Sequence, residues 1–113
     1  MLFIFSLPNY GNGVTFKIVP KAPSISKLTA KTKALTVTLN KQTTQTTGYE
    51  IQYATNKSFT SAKTTTVTNS TSTKTLSGLK AKTTYYVRVR AYKTVGGVKI
   101  YSSWSAAKYL KTK

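Results

Sequence analysis

Ala34 to Leu39 reads A-L-T-V-T-L, apolar at Leu35, Val37 and Leu39 with hydroxyls between. Such alternation turns one face of a strand toward a core and the other toward water, because successive side chains point to opposite sides. Tyr49 to Tyr53 repeats the pattern, with Tyr49, Ile51 and Tyr53 on one face and Glu50 and Gln52 on the other. From Tyr85 to Tyr92, one parity holds Tyr85, Val87, Val89 and Ala91, and the other holds Tyr86, Arg88, Arg90 and Tyr92. Only the first set is small and apolar enough for a core. Runs at Lys63–Thr68 and Ser72–Leu76 are mostly Thr, Ser and Lys, a composition that keeps edge strands from unwanted pairing. Helical periodicity is missing, and Thr, Val, Tyr and Ile abound, so the predicted class is all-β.

Val95-Gly96-Gly97-Val98 is a two-residue hairpin signal, since both glycines accept positive φ. It would pair Val95 with Val98 and Tyr92 with Tyr101. About seven short antiparallel strands at this spacing predict a sandwich of two sheets. The first nineteen residues read differently: Phe3–Tyr10, then Gly11-Asn12-Gly13, then Val14–Val19 suggest a further hairpin, and Pro20-Lys21-Ala22-Pro23 an extended linker. An isolated hairpin is marginal in water. Residues 1–19 are therefore expected to pack on the sandwich, on a second copy as a dimer contact, or to be a short extension or the remnant of an upstream domain, with residues 20–113 forming the main domain.

Composition narrows the chemistry. The 113 residues hold 18 Lys plus Arg against one acid, Glu50, for a net charge of +17. That field attracts polyanions without specifying one. With no His, Cys or Asp, general acid–base pairs, thiol nucleophiles, metal sites and disulfides lack their residues, and no cofactor is implied. Nothing singles out a Ser-Lys dyad or a reactive lysine among so many, and an enzyme is not expected. Lack of cysteine fits an oxidising exterior. The opening M-L-F-I-F-S-L is too short to span a membrane and has no basic start, so membrane insertion is not expected and any export route is not visible. Asn56-Lys57-Ser58 and Asn69-Ser70-Thr71 match the glycosylation sequon, a frequent chance pattern in Thr-rich sequence.

Pro23, Ile25, L-T-V-T-L at 35–39, G-Y-E-I-Q-Y at 48–53, L-S-G-L at 76–79 and T-Y-Y-V-R-V-R-A at 84–91 together resemble a fibronectin type III domain, an immunoglobulin-like β-sandwich. The resemblance implies a tyrosine corner at Leu79 and Tyr85, where the phenol bonds back to the chain between sheets. The sequence departs from the family at Leu39, where a tryptophan is usual, and at Ala81, where a proline is common. The Arg-Gly-Asp adhesive loop is not implied, since there is no Asp. The Thr- and Lys-rich, Cys-free composition is similar to copies in surface proteins of Gram-positive bacteria. It implies an extracellular or cell-surface setting.

Y-S-S-W-S at 101–105 resembles the W-S-x-W-S motif of cytokine-receptor fibronectin type III domains, with Tyr101 for the first tryptophan. Aromatics three apart return to one side when the chain repeats every three residues. Tyr101 and Trp104 can then sandwich Arg88 and Arg90 in a cation–π ladder, each contact contributing about 0.5–2 kcal/mol. On this reading the arginines are sheet fabric. Glu50 lies on the same face as a cross-strand partner, in an exposed pair that contributes little.

Two functional readings remain. One is a non-catalytic spacer and interaction module of a larger surface or secreted protein, meeting neighbouring domains or cell-surface proteins. The other is an adhesive module for anionic wall polymers or acidic polysaccharide, held by lysines, with Tyr86, Tyr92 and Tyr109 either stacking sugars or filling cross-strand positions. Specific nucleic-acid binding is not expected: the lysines spread over every strand and turn, and no phosphate loop, zinc knuckle or aromatic RNA-binding motif is present. Sequence-blind attraction to DNA would follow from charge alone.

Overall fold

In the computed structural model of the chain, residues 20–113 are described throughout, together with the backbone of two short strands, β1 (Ile4–Ser6) and β2 (Thr15–Lys17). These two pair antiparallel, with Phe5 opposite Phe16. The expected Gly11-Asn12-Gly13 turn, and the packing expected of this hairpin's side chains, fall outside the described residues.

The remaining strands form two antiparallel sheets with no helix among the described residues. The smaller sheet runs β3 (Ser24–Lys31), β4 (Ala34–Asn40), β7 (Thr73–Leu76). The larger runs β6 (Lys63–Thr68), β5 (Gly48–Ala54), β8 (Thr84–Val95), with β9 (Val98–Tyr101) and β10 (Lys108–Lys111) sharing the far side of β8. β6 and β7 each pair on one side only, so the polar runs do lie at sheet edges.

Period-two patterning sets the core. Leu35, Val37 and Leu39 face Ile51, Val87 and Val89, each no more than 4% exposed. Burying such side chains stabilises the fold by about 1.5–3 kcal/mol apiece. Leu39, where the sequence departs from the pattern it resembles, is itself a buried core residue. The β8–β9 hairpin turns on Gly96 and Gly97 at φ +55° and +80°, and its register pairs Val95 with Val98 and Tyr92 with Tyr101.

The final strand is not continuous. Residues 102–107 leave the ladder between β9 and β10, and this raises the sandwich to eight strands where about seven were expected. Serines replace the missing pairing. Ser102 N–H donates to Ala91 O at 2.9 Å while its Oγ accepts Ala91 N–H at 2.9 Å. Ser105 does the same for Val89, at 2.7 and 3.0 Å. The outward backbone groups of β8 therefore stay satisfied without a regular strand beside them.

Candidate functional site

Arg88 and Arg90 project from the outer face of β8, two residues apart. That step advances a strand by about 6.5–7 Å, room for one aromatic ring between two guanidinium planes. Trp104 occupies it, with the Arg88 and Arg90 guanidinium carbons 4.4 and 4.3 Å from its ring centre. Tyr101 covers the other side of Arg90 at 3.7 Å. Ser102 and Ser105 hold this arrangement, because each follows one of the two aromatics and fastens it to β8.

Phe59, which the sequence reasoning did not single out, completes the stack by covering Arg88 at 4.1 Å. Its loop is shaped by Asn56: Oδ1 accepts Thr60 N–H at 2.9 Å, Nδ2 donates to Thr60 O at 3.1 Å, and the Asn56 carbonyl accepts Phe59 N–H at 3.2 Å. Phe59 sits at φ +55°, a left-handed conformation that strains a non-glycine residue by about 1–2 kcal/mol. The only advance signals were an aromatic in an otherwise polar N-K-S-F-T-S run and an asparagine placed to close a turn.

Polar partners fix the guanidinium planes edge-on. Arg88 Nε donates to Gln52 Oε1 at 2.7 Å, and Arg90 donates from Nε and Nη2 to Glu50 Oε1 at 3.0 and 2.9 Å. Lys99 Nζ lies 3.8 Å from Glu50 Oε2 and 4.6 Å over the Tyr92 ring. The Glu50 pair is not the exposed contact the sequence suggested. Glu50 is only 7% exposed, because the stacked ladder and Lys99 close over it. Burial first, and then the neighbouring Arg90 charge, lower the Arg88 pKa from its ordinary value.

Tyr85 Oη accepts Lys80 N–H at 2.9 Å, with Leu79 buried beside the turn. A second buried phenol pins the opposite end of the sandwich: Tyr49 Oη accepts Gln42 N–H at 3.1 Å and donates to Asn69 O at 2.9 Å.

Tyr86, Tyr92 and Tyr109 lie on the same side of the larger sheet but do not form one exposed patch. Tyr86 and Tyr109 pair across β8 and β10 with ring centres 5.3 Å apart, and Tyr109 is 66% exposed. Tyr92 is buried at the other end of β8, tilted against Tyr101 at 6.5 Å and packed over Gly48. The missing side chain at Gly48 makes room for the phenol, and the ladder with Lys99 covers the rest.

Two sheets in this order, with a phenol tying the β7–β8 turn and an aromatic–arginine ladder on the larger sheet, define an immunoglobulin-like β-sandwich module. The fibronectin type III domain model matches residues 19–108, and the chain belongs to that family. No curated protein matches it. Among solved structures it is similar to the fn3 domain of human contactin 1 (TM-score 0.70, 20% identity, 82% of this chain and 77% of that one). A computationally redesigned β-sandwich protein gives TM-score 0.67 at 22% identity, over 81% of this chain and 89% of that one. The chicken CNTN1 FN1–FN3 domains give 0.64 at 24% identity, over 88% of this chain and 35% of that one. At these identities the likeness is one of fold. Among the described residues no helix is long and apolar enough to cross a membrane.

Proposed function

We propose that the chain is a non-catalytic module of a larger secreted or cell-surface protein, acting as a spacer and a contact surface. One observation carries the reading: the polypeptide enters and leaves at opposite ends of the sandwich. Ser24 and Ile25 start β3 beside Asn40 and Leu39, the end of β4. At the exit, Lys113 N–H donates to Lys31 O at 3.1 Å and its carbonyl accepts Lys33 N–H at 3.2 Å, beside the β3–β4 turn. Modules built this way string end to end, and Pro20 and Pro23 stiffen the entry.

The absence of catalysis is supported by the state of Glu50, the chain's single acid, which is buried and held by Arg90 and Lys99. The Thr- and Lys-rich, Cys-free composition supports an extracellular setting, on the surface of a Gram-positive bacterium. Residues 1–19 are read as an extension or the tail of a preceding domain. Small-angle scattering on tandem copies of residues 20–113 tests the spacer role. β8 alone has 12 residues, which sets a length of about 40 Å. The maximum dimension should grow by about that much per copy; copies that fold back into a compact particle would contradict it.

A further inference from the structure

The lysines are not evenly dispersed, as their spread along the sequence suggests. Three Lys-x-Lys pairs, Lys31/Lys33, Lys80/Lys82 and Lys111/Lys113, come from the β3–β4 turn, the β7–β8 connection and the end of β10. Backbone contacts gather them at one pole. Lys33 N–H donates to Lys113 O at 3.2 Å, Lys113 N–H to Lys31 O at 3.1 Å, Leu79 N–H to Lys33 O at 3.0 Å, and Thr112 Oγ1 to Lys80 O at 2.5 Å. All six lysines are exposed. Lys33 and Lys82 sit at φ +52° and +51°, where glycine or asparagine would be less strained. Glu50, on the outer face of the larger sheet, is already occupied by Arg90 and Lys99. No acidic side chain is left to face these six lysines, and their combined field favours an external anion.

A cavity of about 260 Å³ opens at the same pole, between the β5–β6 and β7–β8 connections. Thr55, Thr60, Ser61 and Ser77 line it together with Lys63, Lys80 and apolar residues such as Leu79. This lining suits a sugar ring, whose hydroxyls exchange hydrogen bonds with side-chain hydroxyls while an acidic substituent meets an ammonium group. A nucleic-acid duplex offers phosphates to the lysines but no single unit to the cavity. Its preferred bidentate partner, arginine, is also missing here, since Arg88 and Arg90 are both committed to the ladder.

We propose that this pole binds an acidic polysaccharide, with one sugar unit in the cavity and its charged groups along the Lys-x-Lys pairs. The proposal rests on the reading of the chain as an interaction module and gives that module its ligand class and site.

The test is amide NMR titration of the intact chain at physiological ionic strength with an oligogalacturonate, neutral dextran and a short DNA duplex. Oligogalacturonate should give saturable shifts at Thr55, Ser61, Ser77 and Gly78 and at the pole lysines. Dextran should give none, and DNA only weak shifts that do not reach the cavity.

Replacing Lys31, Lys33, Lys80 and Lys82 by Gln should weaken oligogalacturonate binding about tenfold or more. It should also flatten the salt dependence by roughly one unit of slope per lysine lost. The same replacement at Lys21, Lys41, Lys74 and Lys93, none at this pole, removes equal charge and should change affinity less than about twofold. Ser77→Tyr, which narrows the cavity while keeping the charge, should lose oligogalacturonate and retain the weak DNA response. Equal losses in both lysine variants, an unaffected Ser77→Tyr, or DNA binding as tightly at the same residues would overturn the proposal. Tandem copies that extend end to end without binding oligogalacturonate would remove this site alone; bound oligogalacturonate on copies that fold back would remove the spacer reading alone.

Discussion

Trp104→Ala removes the ring that separates Arg88 from Arg90. Two cation–π contacts disappear, at 4.4 and 4.3 Å. The Arg90 side chain is 25% exposed, between the solvated and desolvated limits, so each contact contributes about 1 kcal/mol. Lost ring burial adds about another 1 kcal/mol for a half-buried indole. The two guanidinium groups also face each other with nothing between them, so the loss should reach about 3 kcal/mol. For a sandwich of this size the melting temperature falls about 4–8 °C per kcal/mol, which places the drop at about 12–24 °C. Thermal and urea unfolding followed by far-ultraviolet circular dichroism measure the melting temperature and the free energy, with Arg90→Lys as the companion, since lysine keeps the charge but not the plane or the two-donor edge on Glu50. A Trp104→Ala variant within about 0.5 kcal/mol of the parent would refute the additive reasoning and return the arginines to the surface as free binding groups.

Three further substitutions probe the frame around the ladder. Gly48→Ala sets a Cβ against the Val67 carbonyl oxygen and 2.8 Å from Tyr92 Oη, and should cost about 2 kcal/mol or more by urea unfolding. Tyr85→Phe leaves Lys80 N–H without its phenol partner and should lower stability by about 1–2 kcal/mol without altering the circular dichroism spectrum. Glu50→Gln leaves Arg90 and Lys99 beside a neutral amide, and should cost about 1–3 kcal/mol at low ionic strength, less as added salt screens the two cations.

The sandwich was legible in the sequence because period-two alternation carries face information directly. Leu35, Val37, Ile51, Val87 and Val89 needed no further context to be placed inside, and two glycines fixed the β8–β9 register. What escaped depends on contacts distant in sequence. Phe59 reaches Arg88 only because Asn56 bends the β5–β6 loop, a three-dimensional consequence with a faint local signal. Glu50 looked exposed because the cover over it comes from Tyr101, Trp104 and Lys99, half the chain away. Tyr92 shares its parity with Tyr86, yet Gly48 opposite it turns a surface position into a buried one. The three Lys-x-Lys pairs are visible as text, but their assembly follows from backbone bonds at Lys31, Lys33 and Lys113 and from the Thr112 hydroxyl donating to Lys80 O. Aromatic–serine steps at Tyr101-Ser102 and Trp104-Ser105 were a usable signal of the irregular strand, with the hydroxyl and amide of each serine both bonding to β8.

Whether Arg88 and Arg90 are sheet fabric or a ligand surface is read directly from their Nε–H resonances in the intact protein, before and after addition of an anionic polymer. Held edge-on by Gln52 and Glu50 and stacked between rings, both Nε–H groups should be shifted upfield by ring currents, exchange slowly with water, and stay in place when oligogalacturonate or DNA is added. Signals at free-arginine positions that exchange rapidly and move first on adding the polymer would contradict the ladder and make this face the binding site.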